Sequence, residues 1–243
     1  MSFKRFIDST SLHILAMFLM FLDHLWGILA IDAWWLTNLG RLAFPIFAFM
    51  LVEGFYHTGN LKKYFKRLLI GALISEIPYN LMMSGSLIDP FDQNVMWTFI
   101  IGLGAMYFTD KLSKKNKYFK VFGILIFYFA SIIALITFVD YNQYGIMMIA
   151  VFYFFRGNKW YLILLQFIGL FTVNELIFKG MTVDINLFGY LLTYNQQSYA
   201  VFSLIPIWLY NGEKGFGKKG FQYFSYLFYP LHILFLITLA YCL

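Results

Sequence analysis

Cysteine occurs once, at Cys242, and charged side chains make up only 12% of the 243 residues. A single cysteine excludes a disulfide framework, a thiolate zinc cluster and dithiol redox exchange. Soluble domains carry roughly 25% charge, so this chain has too few polar groups to cover a water-exposed surface. What is abundant is apolar: 61% of the residues are hydrophobic, 22% are aromatic, and mean hydropathy is +0.70. Val121 to Val139, Ile185 to Gly212 and Phe221 to Leu243 are free of charge, and each exceeds the ~18 residues that cross a bilayer. The runs are continuously apolar rather than alternating, which excludes an outer-membrane barrel and leaves helices.

The expected fold is all-α: a single integral-membrane domain over residues 1–243, a polytopic bundle of about nine spans with a central polar cavity. The spans are Leu12 to Ile31, Trp35 to Phe55, Phe65 to Met83, Val95 to Phe108, Phe119 to Val139, Tyr144 to Phe155, Trp160 to Phe178, Ile185 to Tyr210 and Phe221 to Leu243. The first is read as retained, because Asp23 and His24 interrupt it and no small-residue cleavage site follows. The sixth would rise only about 18 Å. The eighth contains Asn195, Gln196, Gln197 and Ser198, a tract read as an unwound break lining the cavity.

Charge supports this threading. Lys4 and Arg5; Lys62, Lys63, Lys66 and Arg67; Lys111, Lys114, Lys115, Lys117 and Lys120; Arg156 and Lys159; and Lys214, Lys218 and Lys219 fall on one side, sixteen of the eighteen basic residues. Asp32, Asp89, Asp92, Asp140 and Asp184 fall on the other with Lys179. Basic loops stay inside, so the N-terminus is expected to be cytoplasmic and the C-terminus external. A net charge of +6 distributed in this way orients helices, and no nucleic-acid partner is expected.

Ionisable groups inside spans are costly, at least ~2.5 to 3.5 kcal/mol each at mid-bilayer, and mark sites by default. Asp23, His24, Arg41, Glu53, Glu76, Glu175, His13 and His232 are such groups. At about 1.5 Å per residue, Asp23 and His24 lie roughly 17 to 18 Å above the inner end of span one, and Arg41 reaches nearly the same level from the opposite side. Glu76 and His232 rise about 17 Å from the inner ends of their own spans. Asp23 and His24 point about 100° apart, so His24 is expected to take its partner from Glu76 or another helix. Histidine is the usual general base near neutral pH. Glu53 is read as a rim residue facing Lys62 or Lys63, or as a substrate-entry group; Glu175 as interfacial; His13 as a helix-end group. Pro45, Pro78, Pro206 and Pro230 lie within spans and would kink them, Pro45 by freeing the carbonyl of Arg41. No His-Glu-x-x-His, phosphate loop or dinucleotide fingerprint occurs, and no metal is expected.

The blocks SLHILAMFLMFLDHLW, LGRLAFPIFAFMLVEGFYHT, RLLIGALISEIPYN, SYAVFSLIPIWLYNGEKG and YLFYPLHILFL, about a third of the chain, resemble the TraX family. That family is named for a protein needed to acetylate the N-terminus of conjugative pilin and is grouped with integral-membrane acyltransferases. The resemblance implies acyl transfer, usually of acetyl, from acyl-CoA as a cytoplasmic donor substrate to a hydroxyl or amine on an envelope glycan, lipid or protein. On that reading His24 is the matching base and Arg41 the matching arginine, holding the oxyanion; Asp23 or Glu76 orients the imidazole. Glu53, His232, Gln196 and Gln197 are candidate substrate-binding groups. The same buried carboxylates and histidines would also suit a proton-coupled transporter or flippase.

Overall fold

A computed structural model describes residues 5–114, 121–187, 190–217 and 219–243. Lys4, Lys115, Lys117, Lys120 and Lys218 of the charge pattern, and the Phe119 start of span five, lie outside them.

The described chain is helical apart from one hairpin. Helix α1 (Ser9–Leu29) starts at Asp8, whose Oδ1 accepts from the Ser11 amide at 2.8 Å. Such a cap satisfies one of the backbone donors left over at a helix start. Next come α2 (Trp35–Gly40), α3 (Ala43–His57), α4 (Leu61–Met83), α5 (Val95–Ser113), α6 (Phe122–Ile136), α7 (Asn142–Phe154) and α8 (Trp160–Phe171). Asn60 and Asn94 cap α4 and α5 as Asp8 caps α1. A π-helical stretch, Thr172–Phe178, prolongs α8. Then follow β1 (Thr182–Leu187), β2 (Tyr190–Asn195), a 3₁₀ helix Gln196–Ser203, α9 (Leu204–Trp208) and α10 (Lys219–Cys242).

Two expected spans change character. Span two is broken at Arg41 and Leu42, between α2 and α3. Pro45 therefore falls in the first turn of a new helix, where a missing N–H costs nothing, instead of kinking a continuous one. Span eight is helical only in its second half, Gln196–Ser203 and α9; its first half falls in a hairpin, where β1 and β2 pair antiparallel with Asp184 opposite Thr193, whose Oγ1 donates to Asp184 Oδ1 at 2.5 Å. Thr182, Val183, Thr193 and Tyr194 are β-branched or aromatic and suit a pleated strand. An apolar run by itself does not separate strand from helix.

Four segments are long and apolar enough to cross a membrane: Ser9–Leu29, Trp35–His57, Trp160–Phe178 and Gly220–Cys242; Phe122–Ile136 is apolar but shorter. On α6, Ile124, Leu125, Tyr128, Phe129, Ile132 and Ile133 are all exposed. A continuous outward apolar face of this kind suits lipid and not water.

The chain divides into two compact units, Met1–Phe47 with Phe155–Gly215, and Ala48–Phe154 with Phe216–Leu243. In the first, α1 packs on α2, and the π-helical stretch packs on the 3₁₀ helix; Leu12, Ala16, Leu170 and Leu204 are buried there. In the second, α4 packs on α5 and α10, and α5 on α6 and α7, around Leu103, Met106, Ile146, Ile149 and Phe152.

Candidate functional site

Within the first unit, the broken second span delivers Arg41 to α1. Nη2 of Arg41 lies 2.5 Å from both carboxylate oxygens of Asp23 and 3.3 Å from Thr37 Oγ1. Thr37 in turn donates to Asp23 Oδ1 at 2.7 Å. The Arg41 and Asp23 side chains are only 22% and 16% exposed, and Thr37 is fully buried. The opposite charges cancel, which is how an ion pair is tolerated away from water. Gly40 makes the approach possible, because a Cβ on it would come within 2.7 Å of Asp23 Cγ.

His24 follows Asp23, turned about 100° around α1, and lies within electrostatic reach of both Asp23 and Arg41. Next to Thr37, the buried Asn38 donates from Nδ2 to Tyr194 Oη on β2 at 2.9 Å. The polar layer of α1 and α2 thus continues into the hairpin.

Sequence reasoning placed Glu175 at the interface; the structure puts it at the centre of a second polar cluster. Its carboxylate accepts from Asn195 Nδ2 at 2.9 Å and from Ser198 Oγ. Beside it the buried Asn174 accepts from Gln197 Nε2 at 2.8 Å. Gln196 and Gln197 are both buried at the start of the 3₁₀ helix, and Gln197 is held by this structural bond. A π turn inserts a residue and rotates the following side chains, and such turns concentrate at functional positions. The signal available in the sequence was the adjacent Asn174 and Glu175 inside an apolar run.

The remaining candidates belong to the second unit. Glu76 Oε2 accepts from Asn94 Nδ2 and from Trp97 Nε1, the latter at 2.9 Å. Asn94 is fully buried, caps α5 through Oδ1 and also donates to the Ala72 carbonyl at 2.9 Å. Glu53 is buried with Oε2 3.6 Å from Nδ1 of His57, one turn along its own helix. His57 donates from Nδ1 to the Glu53 carbonyl at 2.8 Å, and His232 does the same to Phe228 at 2.7 Å. The Phe228 ring stacks on His232 with centroids 4.8 Å apart. His13, in the first unit, donates likewise to Ser9 at 2.8 Å. In each case the bond fixes the tautomer with the proton on Nδ1.

Between α4 and α5, Tyr79 Oη donates to Asp92 Oδ1 at 2.9 Å. Partial burial pushes the Asp92 carboxyl above the usual carboxylate range, the Tyr79 bond opposes that shift, and nearby Asp89 adds to it. Among the described residues, no three His, Cys, Asp or Glu side chains gather in a way that would hold a metal ion.

Apolar helices around a buried, charge-balanced polar cluster define a polytopic helical membrane protein. The sequence profile described as TraX protein matches residues 9–240, and the chain belongs to the TraX family. It is also similar to a protein of Dichelobacter nodosus named "Probable fimbrial assembly protein FimC, serogroup H1", 29% identical over 253 residues that cover 95% of each chain. No solved structure matches.

Proposed function

We propose that this TraX family protein is an acyltransferase of the bacterial cytoplasmic membrane, its N-terminus cytoplasmic. It would move an acyl group, in the first place acetyl, from acyl-CoA to a hydroxyl or amine at the cell envelope. The observation that carries this reading is the Asp23–Arg41 ion pair, locked by Thr37 in an apolar helix pair with His24 beside it.

In the proposed reaction the imidazole of His24 removes the proton from the acceptor as its oxygen or nitrogen attacks the thioester carbonyl carbon. The carbonyl π electrons move to oxygen, and the oxyanion develops within the field of the Arg41 guanidinium. Collapse re-forms the carbonyl and breaks the carbon–sulfur bond, and the departing thiolate takes the proton from the imidazolium. A placed base contributes about 10²- to 10⁴-fold. A fixed donor or charge in a site of low dielectric is often the largest single term. Asp23 and Thr37 hold Arg41 before substrate arrives, which is the preorganisation such a term requires. The basic residues near Lys62 and Lys111 would draw in the phosphates of the donor. The name of the Dichelobacter nodosus relative supports an acceptor at the cell surface, such as a fimbrial protein or glycan.

The test is transfer by the purified full-length protein in lipid nanodiscs supplied with radiolabelled acetyl-CoA and an envelope fraction. Wild type should release CoA thiol and label the envelope fraction, and His24→Ala should do neither while keeping its helical content and elution volume. Substrate flux across proteoliposomes without thioester cleavage would instead identify a transporter.

A further inference from the structure

Helix α4 presents two buried acceptor atoms that no group among the described residues satisfies, Glu76 Oε1 and Asn80 Oδ1; Ser75 Oγ, on the neighbouring stripe, is a third oxygen without a partner among them. Buried polar atoms are nearly always paired, so each exception calls for an explanation. Residues four apart share a helix face with Cβ atoms about 5 to 6 Å apart, which places the two acceptors one above the other.

Both side chains are held by their other polar atoms. Glu76 Oε2 takes the Asn94 and Trp97 donors, and Asn94 is itself fixed by capping α5 and by its bond to Ala72. Asn80, 2% exposed, commits Nδ2 to the Leu87 carbonyl at 3.2 Å. Neither group can turn to satisfy its second oxygen without breaking a bond already made. Among the described residues no lysine or arginine is paired with Glu76, and the charge acting on it, that of Asp92, is negative. Two fixed acceptors in a field of negative sign complement a group that offers several N–H donors and a positive charge.

We infer that Glu76 and Asn80 form a binding site for a primary ammonium group. The ammonium carries three donors and one charge, enough to pair Glu76 Oε1 and Asn80 Oδ1 together. This site lies wholly within the second unit and does not depend on acyl transfer being the reaction.

Trp97 serves as the reporter, because its indole N–H is bonded to the same carboxylate. Full-length protein in detergent is titrated with n-butylammonium chloride and, in parallel, with n-butanol, and the fluorescence is read as the difference from a Trp97→Phe variant. A saturable change with butylammonium and none with butanol is expected, with affinity at least tenfold weaker in Asn80→Ala and binding lost in Glu76→Gln. Size-exclusion profiles identify any variant that fails to fold; the other variant then carries the test. A response that butanol reproduces, that never saturates, or that survives both substitutions overturns the proposal. Repeating the titration in nanodiscs separates two sources of the group. Weaker binding in phosphatidylethanolamine than in phosphatidylcholine assigns the site to an aminolipid headgroup, and equal binding assigns it to a non-lipid amine.

Discussion

Gly40 faces Asp23 so closely that a methyl group on it would overlap the aspartate side chain. The hydrogen atom at that position is what lets α2 reach α1 and lets Arg41 close on Asp23. Replacing glycine with alanine inside a helix ordinarily stabilises, by roughly 0.5 to 1 kcal/mol. Here the sign should reverse. Gly40→Ala is expected to lose about 1 to 3 kcal/mol, the usual range for overpacking. Gly27, also on α1, has nothing within 4 Å of its would-be Cβ, so Gly27→Ala should be neutral or stabilising. Unfolding in mixed micelles measures both.

The Asp23–Arg41 pair should show strong coupling in a double-mutant cycle. Asp23→Ala or Arg41→Ala alone leaves one buried charge uncompensated, a loss of about 3 to 5 kcal/mol. The double variant should lose clearly less than the sum of the two. Additive losses, measured by the same unfolding assay, would mean that the two side chains act independently.

Glu175 ties the π-helical turn to the start of the 3₁₀ helix through Asn195 and Ser198. Glu175→Ala strands both donors, and a part-buried unsatisfied group costs about 1 to 3 kcal/mol. Hydrogen exchange across Thr182–Asn195 should quicken by tenfold or more, while exchange in α5 and α7 stays as it was.

Asp92 sets a pH dependence of known sign. Its folded carboxyl titrates above the unfolded value, chiefly because of burial. The stability it contributes is therefore present below the ordinary aspartate range and is lost as pH rises through the shifted value. Asp92→Asn, which can still accept from Tyr79, should match wild type near pH 4 and exceed it near pH 7. Thermal midpoints recorded across that interval read the difference.

Much of this architecture was written in the hydrophobic pattern. The runs read as spans one, three to seven and nine are helices over their described residues, because long apolar segments have few other solutions in lipid, and Asp8, Asn60 and Asn94 mark three of the starts. The level matching of Asp23 with Arg41 was also legible, since rise per residue is fixed. Local chain chemistry was harder to read. The first half of span eight joins Thr182 to Asp184 in a hairpin, where Thr182, Val183, Thr193 and Tyr194 are β-branched or aromatic, and composition over a long window averages that signal away. His24 was expected to take its partner from Glu76 or another helix; the bonds observed at Glu76 come from Asn94, the cap of α5, and from Trp97 in its first turn, an arrangement that no periodicity encodes. Glu175 was read as interfacial, and its cluster was not foreseen because its partners Asn195 and Ser198 lie on the segment whose structure was misread.

We propose a His24-dependent acyl transfer in this membrane. Its most direct test is mass spectrometry of envelope glycans, lipids and surface proteins from cells lacking the endogenous gene and supplied with either the wild-type chain or His24→Ala at equal membrane levels. A species heavier by one acetyl group should appear with wild type and be missing with His24→Ala. Identical spectra from the two strains, with that species present in both or in neither, would contradict it.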